Sequence, residues 1–334
     1  MKLSAQINSN KFFPIDQDQL IWNAANNAGL TIPYSCKLGR CSSCKCKVLK
    51  GQTRATHEEI GLSREEKNEG WILSCVRVAE TDLLLESDEL CMVELPVIKT
   101  LPCRISHIDL LATDVLQVKL RLPPTEEFDF LPGQYIELIG PNGIRRSYSL
   151  ANANFSNKLL ELHIRAVKDG LMSDYWFRQA KINDLLRLTG PQGTFFLRDT
   201  YNLDLIFLAT GTGIAPVKAI LESLSAHSFD QTPRSVTVLW GGRSPADLYI
   251  DISSIEGKFE YVPTLSRADK HWTGAHGYVQ HKLLSMRNNF TQAAVYACGS
   301  DVMIQSAKEL LVQEGLPIKR FYADAFVCSS PSNG

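Results

Sequence analysis

Cys36, Cys41 and Cys44 stand in one C-x4-C-x2-C run, Cys36-Lys37-Leu38-Gly39-Arg40-Cys41-Ser42-Ser43-Cys44, and Cys75 follows thirty-one residues later. Four thiolates at that spacing suit a two-iron, two-sulfide (2Fe-2S) cluster: the close-set trio wraps the cluster in a loop and the distant cysteine closes it. The competing chemistry is a structural zinc site, which more usually shows two C-x-x-C pairs or paired Cys and His. Only one C-x-x-C is present, and no histidine lies between Cys36 and Cys44. The spacing therefore favours iron. Cys46, Cys91, Cys103 and Cys328 fit no ligand pattern and read as ordinary thiols.

Further along, Arg145-Arg146-Ser147-Tyr148-Ser149-Leu150 carries an R-x-Y-S unit. A planar guanidinium donates in pairs to a phosphate, and a tyrosine offers a flat face to a ring system. By itself the unit is equally compatible with an exposed strand. His163 and Arg165 lie two apart on an apolar run and so share a strand face. Each is a candidate for cofactor contact, although a histidine satisfied by its protein neighbours is the other reading of His163. Gly170-Leu171-Met172-Ser173 turns into a helix whose exposed N–H groups suit a pyrophosphate. Thr210-Gly211-Thr212-Gly213-Ile214-Ala215-Pro216 follows a continuous apolar run, with glycines that let a pyrophosphate approach the backbone and Pro216 in a first helical turn. Its G-x-G-x-x-P differs from the dinucleotide fingerprint. Gly241-Gly242-Arg243 and Cys298-Gly299 end two more strand-like runs. Ligands of such folds bind outside the carboxyl ends of parallel strands, where all three glycine turns are expected.

The elements that must position these groups form an α+β multidomain chain. At 334 residues it is long enough for two or three domains. Residues 1–89 read as a hairpin (Leu3 to Ile7 and Phe12 to Ile15), a helix capped by Asp18 and stopped by Gly29, the cysteine loop, and returning strands. That order gives a small β-grasp cluster domain. Residues 90–101 read as a linker. Residues 102–200 carry short strands between turns such as Pro123-Pro124 and Pro132-Gly133, a barrel pattern. From 201 to 334 the alternation of apolar strand and helix predicts a parallel-sheet α/β domain. The charged fraction of 21 per cent and formal charge of −1 give no general attraction to nucleic acid or membrane. The N-terminal residues lack a signal-peptide pattern, and no apolar run approaches the ~18 residues of a membrane span. The expected location is the cytoplasm.

The cysteine spacing and β-grasp order resemble the plant-type ferredoxins, with one departure: Ser42 stands where that family's C-G-x-C has glycine. If the loop needs a positive φ there, serine adds strain on the order of 1 kcal/mol. Leu131 to Tyr135, Arg145 to Asn152, Gly170 to Ser173 and Gly190 to Phe195 resemble, in order, the flavin barrel of ferredoxin-NADP reductase. The whole chain thus resembles the iron–sulfur flavoprotein reductases. Arg121 to Thr125, Arg145 to Asn152, Gly190 to Phe196, Trp272-Thr273-Gly274 and Tyr296 to Ser300 are most similar to the CDP-6-deoxy-Δ3,4-glucoseen reductases of deoxysugar synthesis. The Gly39-Arg40-Cys41 loop and the Tyr322 to Phe326 tail resemble the reductase components of aromatic-ring dioxygenases.

The resemblance implies FAD held by Arg146, Tyr148 and Ser149, with Gly170, Met172 and Ser173 at its pyrophosphate. It further implies a nicotinamide dinucleotide on Gly211, Thr212 and Gly213, Cys298 beside the nicotinamide, and Phe326 as the ring over the flavin. No acidic residue stands where a ribose 2′-hydroxyl would be held, and Arg243 is the candidate for a 2′-phosphate, so these residues do not settle NADH against NADPH; the cofactor expected is NADH, with NADPH left open. Hydride enters as a pair and electrons leave singly through iron to a redox partner protein. That partner is a dehydratase of deoxysugar synthesis or, alternatively, a terminal oxygenase; oligomeric state is not legible. Two readings of other kinds remain at this point: a redox-responsive binding module without turnover, and a flavin reductase whose cluster is vestigial.

Overall fold

The structure is a computed structural model that describes residues 2–8, 11–87, 93–153, 158–226 and 232–326. Cys91 and Cys328 lie outside these residues. The chain divides into two compact units: residues 1–94 with the described residues from Ala323 on, and residues 95–322.

In the first unit, β1 (Lys2–Ile7) and β2 (Lys11–Asp16) pair antiparallel with Ala5 opposite Phe13 and Leu3 opposite Ile15. Alternation puts Ala5, Ile7, Phe13 and Ile15 in the core. Helix α1 (Ile21–Asn27) turns Ile21, Trp22, Ala24 and Ala25 onto the same core. Asp18 does not cap it, contrary to the sequence expectation. The helix starts after Leu20 without a side-chain cap, whereas Asp18 takes a left-handed backbone (φ 63°) and pairs with Arg54 at 2.8 Å. The chain then forms β3 (Lys45–Lys50), β4 (Thr53–Ala55), α2 (Arg64–Asn68), β5 (Trp71–Leu73), β6 (Arg77–Ala79) and β7 (Leu83–Ser87). The main sheet runs β2-β1-β7-β3-β5, with β1 and β7 parallel and the other pairs antiparallel. This mixed sheet with a helix across it is the expected β-grasp. The polar run after Arg54 is more ordered than a loop, because Ser63 and Glu66 form a reciprocal capping box that starts α2.

The second unit opens with β8 (Lys99–Ala112), so the last positions of the expected linker are strand. Strands β9 (Val115–Arg121), β10 (Tyr135–Ile139), β11 (Arg145–Ser149), β12 (Leu159–Arg165) and β13 (Leu185–Gln192) complete an antiparallel sheet ordered β11-β10-β13-β8-β9-β12. A bridge between Leu150 and Leu162, with Ala151 N–H donating to the Glu161 carbonyl at 2.8 Å, joins the two ends into a barrel. Ile105, Val118, Leu120, Ile136, Leu138 and Leu188 fill it. Helix α3 (Leu171–Asp174) passes into a π-helical turn, Tyr175–Gln179, that covers one end with Met172, Tyr175 and Trp176.

The remaining chain forms β14 (Asp204–Thr210), α4 (Ile214–Ala226), β15 (Ser235–Gly242), β16 (Glu260–Leu265), β17 (Ala275–His276), α5 (Val279–Met286), β18 (Ala293–Gly299), α6 (Asp301–Gln313) and β19 (Phe321–Ala325). The sheet order is β17-β16-β15-β14-β18-β19, and the pairs from β17 through β18 are parallel. Succession moves outward one way from β14 and then resumes on its other side with β18. That reversal is a topological switch point, the usual place for a ligand crevice.

Asp204 holds the opposite end of this sheet together. Its buried carboxylate accepts from Arg234, from Arg287 at 2.6 Å and from the Ser235 hydroxyl at 2.6 Å. The Arg234 hydrogen bonds, helped by Ser235 and the Arg287 charge, outweigh burial and hold the carboxyl down to about 2 from an ordinary 3.8. A carboxyl depressed on folding stabilises the native state above its unfolded pKa, and that stability is lost as pH falls through the folded value. We expect Asp204→Asn to cost on the order of 2 kcal/mol at neutral pH. In urea unfolding the gap from wild type should close as pH is lowered from about 5 toward 2; a gap that does not vary over that range contradicts the assignment.

Candidate functional site

In the first unit the cysteine loop reverses on itself between α1 and β3. Lys37, Gly39 and Ser42 all take left-handed backbone, at φ 55°, 73° and 61°. Ser42 therefore occupies the strained conformation that glycine adopts freely, and its hydroxyl donates to the Gly61 carbonyl. The segment bearing Glu58, Glu59 and Gly61 lies against the loop. A Cβ on Gly39 would press on the Glu58 carbonyl at 2.7 Å, and Gly61 N–H donates to Gly39 at 2.9 Å. Buried Glu59 fixes this segment, accepting from Leu73 N–H at 2.7 Å and from Arg77 at 2.7 and 3.2 Å. The sequence reading passed over this pair, because its partners are far apart in the chain and follow no motif.

The four thiols meet as two pairs, Cys36 with Cys41 and Cys44 with Cys75. Cys41, Cys44 and Cys75 are buried, and Cys36 is half-buried. In the first pair, the Cys41 hydrogen bond pulls Cys36 down to about 7, assisted by N–H groups of Leu38 and Arg40. The same sharing, with burial, drives Cys41 well up. Cys75 falls through its bond with Cys44, and Cys44 rises. Leu38 N–H reaches the Cys36 sulfur at 3.4 Å and Cys36 N–H the Cys41 sulfur at 3.5 Å, donors that suit anionic sulfur. Among the described residues no three potential ligands converge on one ion. A two-iron cluster takes two thiolates per iron, and the pairing suits it. Cys75 sits in the turn Ser74–Val76 between β5 and β6. Cys46 and Cys103 are buried thiols whose pKa values burial pushes to about 12.

In the second unit, β11 presents Arg146 and Tyr148 two apart, while Ser149 ends the strand buried. Trp176, which the sequence reading left without a role, donates its indole N–H to the Tyr148 hydroxyl at 3.0 Å and meets its ring edge-on. That contact fixes the plane of Tyr148, and burial raises its pKa to about 12. Two expected cofactor side chains have other employment. The Met172 side chain is buried in the barrel core, and a Cβ at Gly140 would overlap its sulfur, which leaves only backbone for a ligand at that position. His163 is buried between protein partners, its Nε2 3.0 Å from Glu161 and its Nδ1 3.1 Å from the Tyr249 hydroxyl. Burial lowers its pKa against the opposing pull of Glu161. It is thus a neutral bridge that donates to the carboxylate and accepts from Tyr249. Gly170 precedes α3, and the Ser173 hydroxyl accepts from Val167 N–H at 2.9 Å.

Arg165 stands differently. Its Nη1 meets Asp247 at 3.3 Å and its Nε lies 3.5 Å from Asp114, yet Nη2 is buried without a hydrogen-bond partner. A buried donor left unpaired is costly. This guanidinium adjoins Gly211, where an added Cβ would lie 3.6 Å from Nη1.

The turn Gly211–Gly213 ends β14 with Gly211 at φ 55°, Thr212 is half-buried, and Pro216 is buried in the first turn of α4. A Cβ on Gly213 would overlap the Cys298 carbonyl, and one on Gly299 (φ 134°) would overlap Thr210, so these glycines let the ends of β14 and β18 touch. Cys298 itself is fully buried. Gly241 faces Val279 closely, and Arg243 is exposed beside it. Asp247 shapes that turn by accepting from Arg243 and Ser244 N–H, both at 3.0 Å. All three glycine turns therefore lie at carboxyl ends of the parallel strands. Phe326 is half-buried and belongs to the unit of the cysteine loop.

A cluster loop, a flavin-type barrel and a switch-point dinucleotide sheet define an electron-transfer reductase. Residues 6–80 match the 2Fe-2S iron-sulfur cluster binding domain family, 102–197 the oxidoreductase FAD-binding domain and 207–309 the oxidoreductase NAD-binding domain. The chain belongs to the family of NAD(P)H-dependent iron–sulfur flavoprotein reductases. It is 40% identical to the CDP-6-deoxy-L-threo-D-glycero-4-hexulose-3-dehydrase reductase of Yersinia pestis over 98% of this chain and 100% of that one. It is 30% identical to a reductase component of terephthalate 1,2-dioxygenase from Comamonas, over 95% of each. The crystal structure of an Amycolatopsis cytochrome P450 reductase superposes with a TM-score of 0.74 at 27% identity, covering 98% of this chain and 100% of that one. Among the described residues no helix is long and apolar enough to cross a membrane.

The left-handed Ser42 generates a paired prediction. Ser42→Ala keeps the strain and loses the hydrogen bond, so it should destabilise the loop by about 1 kcal/mol. Ser42→Gly loses the same bond and relieves strain of about 1 kcal/mol, so it should be nearly neutral. Thermal bleaching of the cluster's visible absorbance ranks the variants; alanine tolerated as well as glycine would refute the role given to the hydroxyl.

Proposed function

We propose that this reductase takes a hydride from NADH or NADPH and passes electrons singly to a dehydratase that acts on a nucleotide-linked deoxysugar. The observation that carries the choice of acceptor is the 40% end-to-end identity with a hexulose-3-dehydrase reductase, against 30% for the terephthalate dioxygenase component. When bound, flavin accepts electrons as a pair and yields them one at a time, and the iron–sulfur centre takes them singly.

The chain's own residues would divide the work as follows. Cys36, Cys41, Cys44 and Cys75 bind iron. Arg146 and Ser149 hold the flavin, with Tyr148 stacked and kept in plane by Trp176. The backbone from Gly170 to Ser173 and the unpaired Arg165 donor receive phosphate. Gly211, Thr212, Gly213 and Gly299 leave room for the dinucleotide, and Cys298 forms the floor beneath it. Arg243, exposed at the end of β15, is the side chain that would meet a 2′-phosphate. The working limits of the parts are 1–89 for iron, 102–200 for flavin and 201–322 for the dinucleotide, short of the expected 334 because the described residues from Ala323 on pack with the cysteine-loop unit.

Reconstitution tests the acceptor. The purified protein with NADH should support turnover of a CDP-6-deoxyhexulose 3-dehydrase and fail to drive a ring-hydroxylating oxygenase. Turnover of the oxygenase alone would transfer the assignment to the aromatic pathway. For the flavin site, Arg146→Ala should lower flavin content after gel filtration with iron and sulfide unchanged; full flavin retention would remove Arg146 from the site.

A further inference from the structure

The described residues from Ala323 on pack as part of the unit that carries the cysteine loop, and they grip that loop at two points. Ser35, immediately before Cys36, donates its hydroxyl to the Asp324 carboxylate, and both residues are buried. Ser43, between Cys41 and Cys44, donates to the Ala323 carbonyl at 2.7 Å. Neither serine is an iron ligand. Each sits next to one, so consecutive residues of the chain's far end fix the approach to the first ligand and to the third.

We propose that Asp324 is a positioning residue of the iron–sulfur site: through Ser35 it holds the Cys36 end of the loop, and its negative charge lowers the reduction potential of the cluster. The proposal rests on the assignment of the four cysteines to iron. Reduction adds an electron to the cluster, and a buried carboxylate bonded to the residue before a ligand opposes that addition, since Coulomb interaction is strong at low dielectric. Net charge near a cluster is one of the determinants of its potential. Groups that orient metal ligands from behind typically contribute 10–100-fold to retention of the metal centre.

Two variants of the intact holoprotein separate the halves of the proposal. Asp324→Asn preserves an acceptor for Ser35 and removes the charge. In an EPR-monitored reductive titration it should raise the cluster midpoint potential, with the flavin potential unmoved and bleaching by a chelator near the wild-type rate. Ser35→Ala removes the anchor and keeps the carboxylate, so the potential should remain low while chelator bleaching accelerates about tenfold. Asp324→Glu should restore the low potential. A wild-type potential in Asp324→Asn, or wild-type bleaching in Ser35→Ala, overturns the proposal. Wild-type protein purified without iron and sulfide would instead overturn the cluster assignment on which it rests.

Discussion

Nine residues carry three of the four thiols, and an extended backbone would send successive side chains to opposite sides. The loop brings them into two pairs only by visiting left-handed conformation at Lys37, Gly39 and Ser42. Two of those residues have a Cβ, and each such residue costs on the order of 1–2 kcal/mol. Neighbouring structure must hold the loop in that shape. Glu59 and Arg77 clamp the segment beside it, Ser42 binds Gly61, and Ser35 and Ser43 bind the C-terminal strand.

The second unit applies a related constraint through glycine. The ends of β14 and β18 approach so closely that a Cβ on Gly213 or Gly299 would overlap backbone or Thr210. Barrel and sheet are then joined across β12 by a polar series: Glu161 with Lys218 at 3.2 Å, His163 with Tyr249, and Arg165 with Asp247. The series is nearly complete. Its exception is Arg165, whose Nε and Nη2 are buried without a hydrogen-bond partner although Nη1 reaches Asp247. Satisfied partners give rigidity to the walls.

Local pattern made much of this legible. The cysteine spacing, the period-two strands of both β regions and the glycines after β14, β15 and β18 depend on near neighbours, and sequence displays near neighbours. What sequence hid were partnerships between distant residues. Asp18 had the chemistry of a cap but pairs with Arg54; Met172 stood in a glycine turn but its side chain entered the barrel core. His163 had the spacing of a cofactor contact, yet Glu161 and Tyr249 occupy both ring nitrogens. Trp176, Glu59 and Asp247 carried no motif, since each acts by holding another residue. The conditional strain at Ser42 was readable, because a single missing glycine in a tight loop has a backbone meaning.

Electrons admitted from the nicotinamide should reach iron within this one chain. Anaerobic mixing with NADH or NADPH alone, followed by rapid freezing and low-temperature EPR, is the deciding experiment. The signal of a reduced two-iron cluster should grow in as the flavin absorbance is bleached, with no partner protein present. Bleaching of the flavin with the cluster left oxidised, although dithionite reduces it, would rule out transfer within the chain.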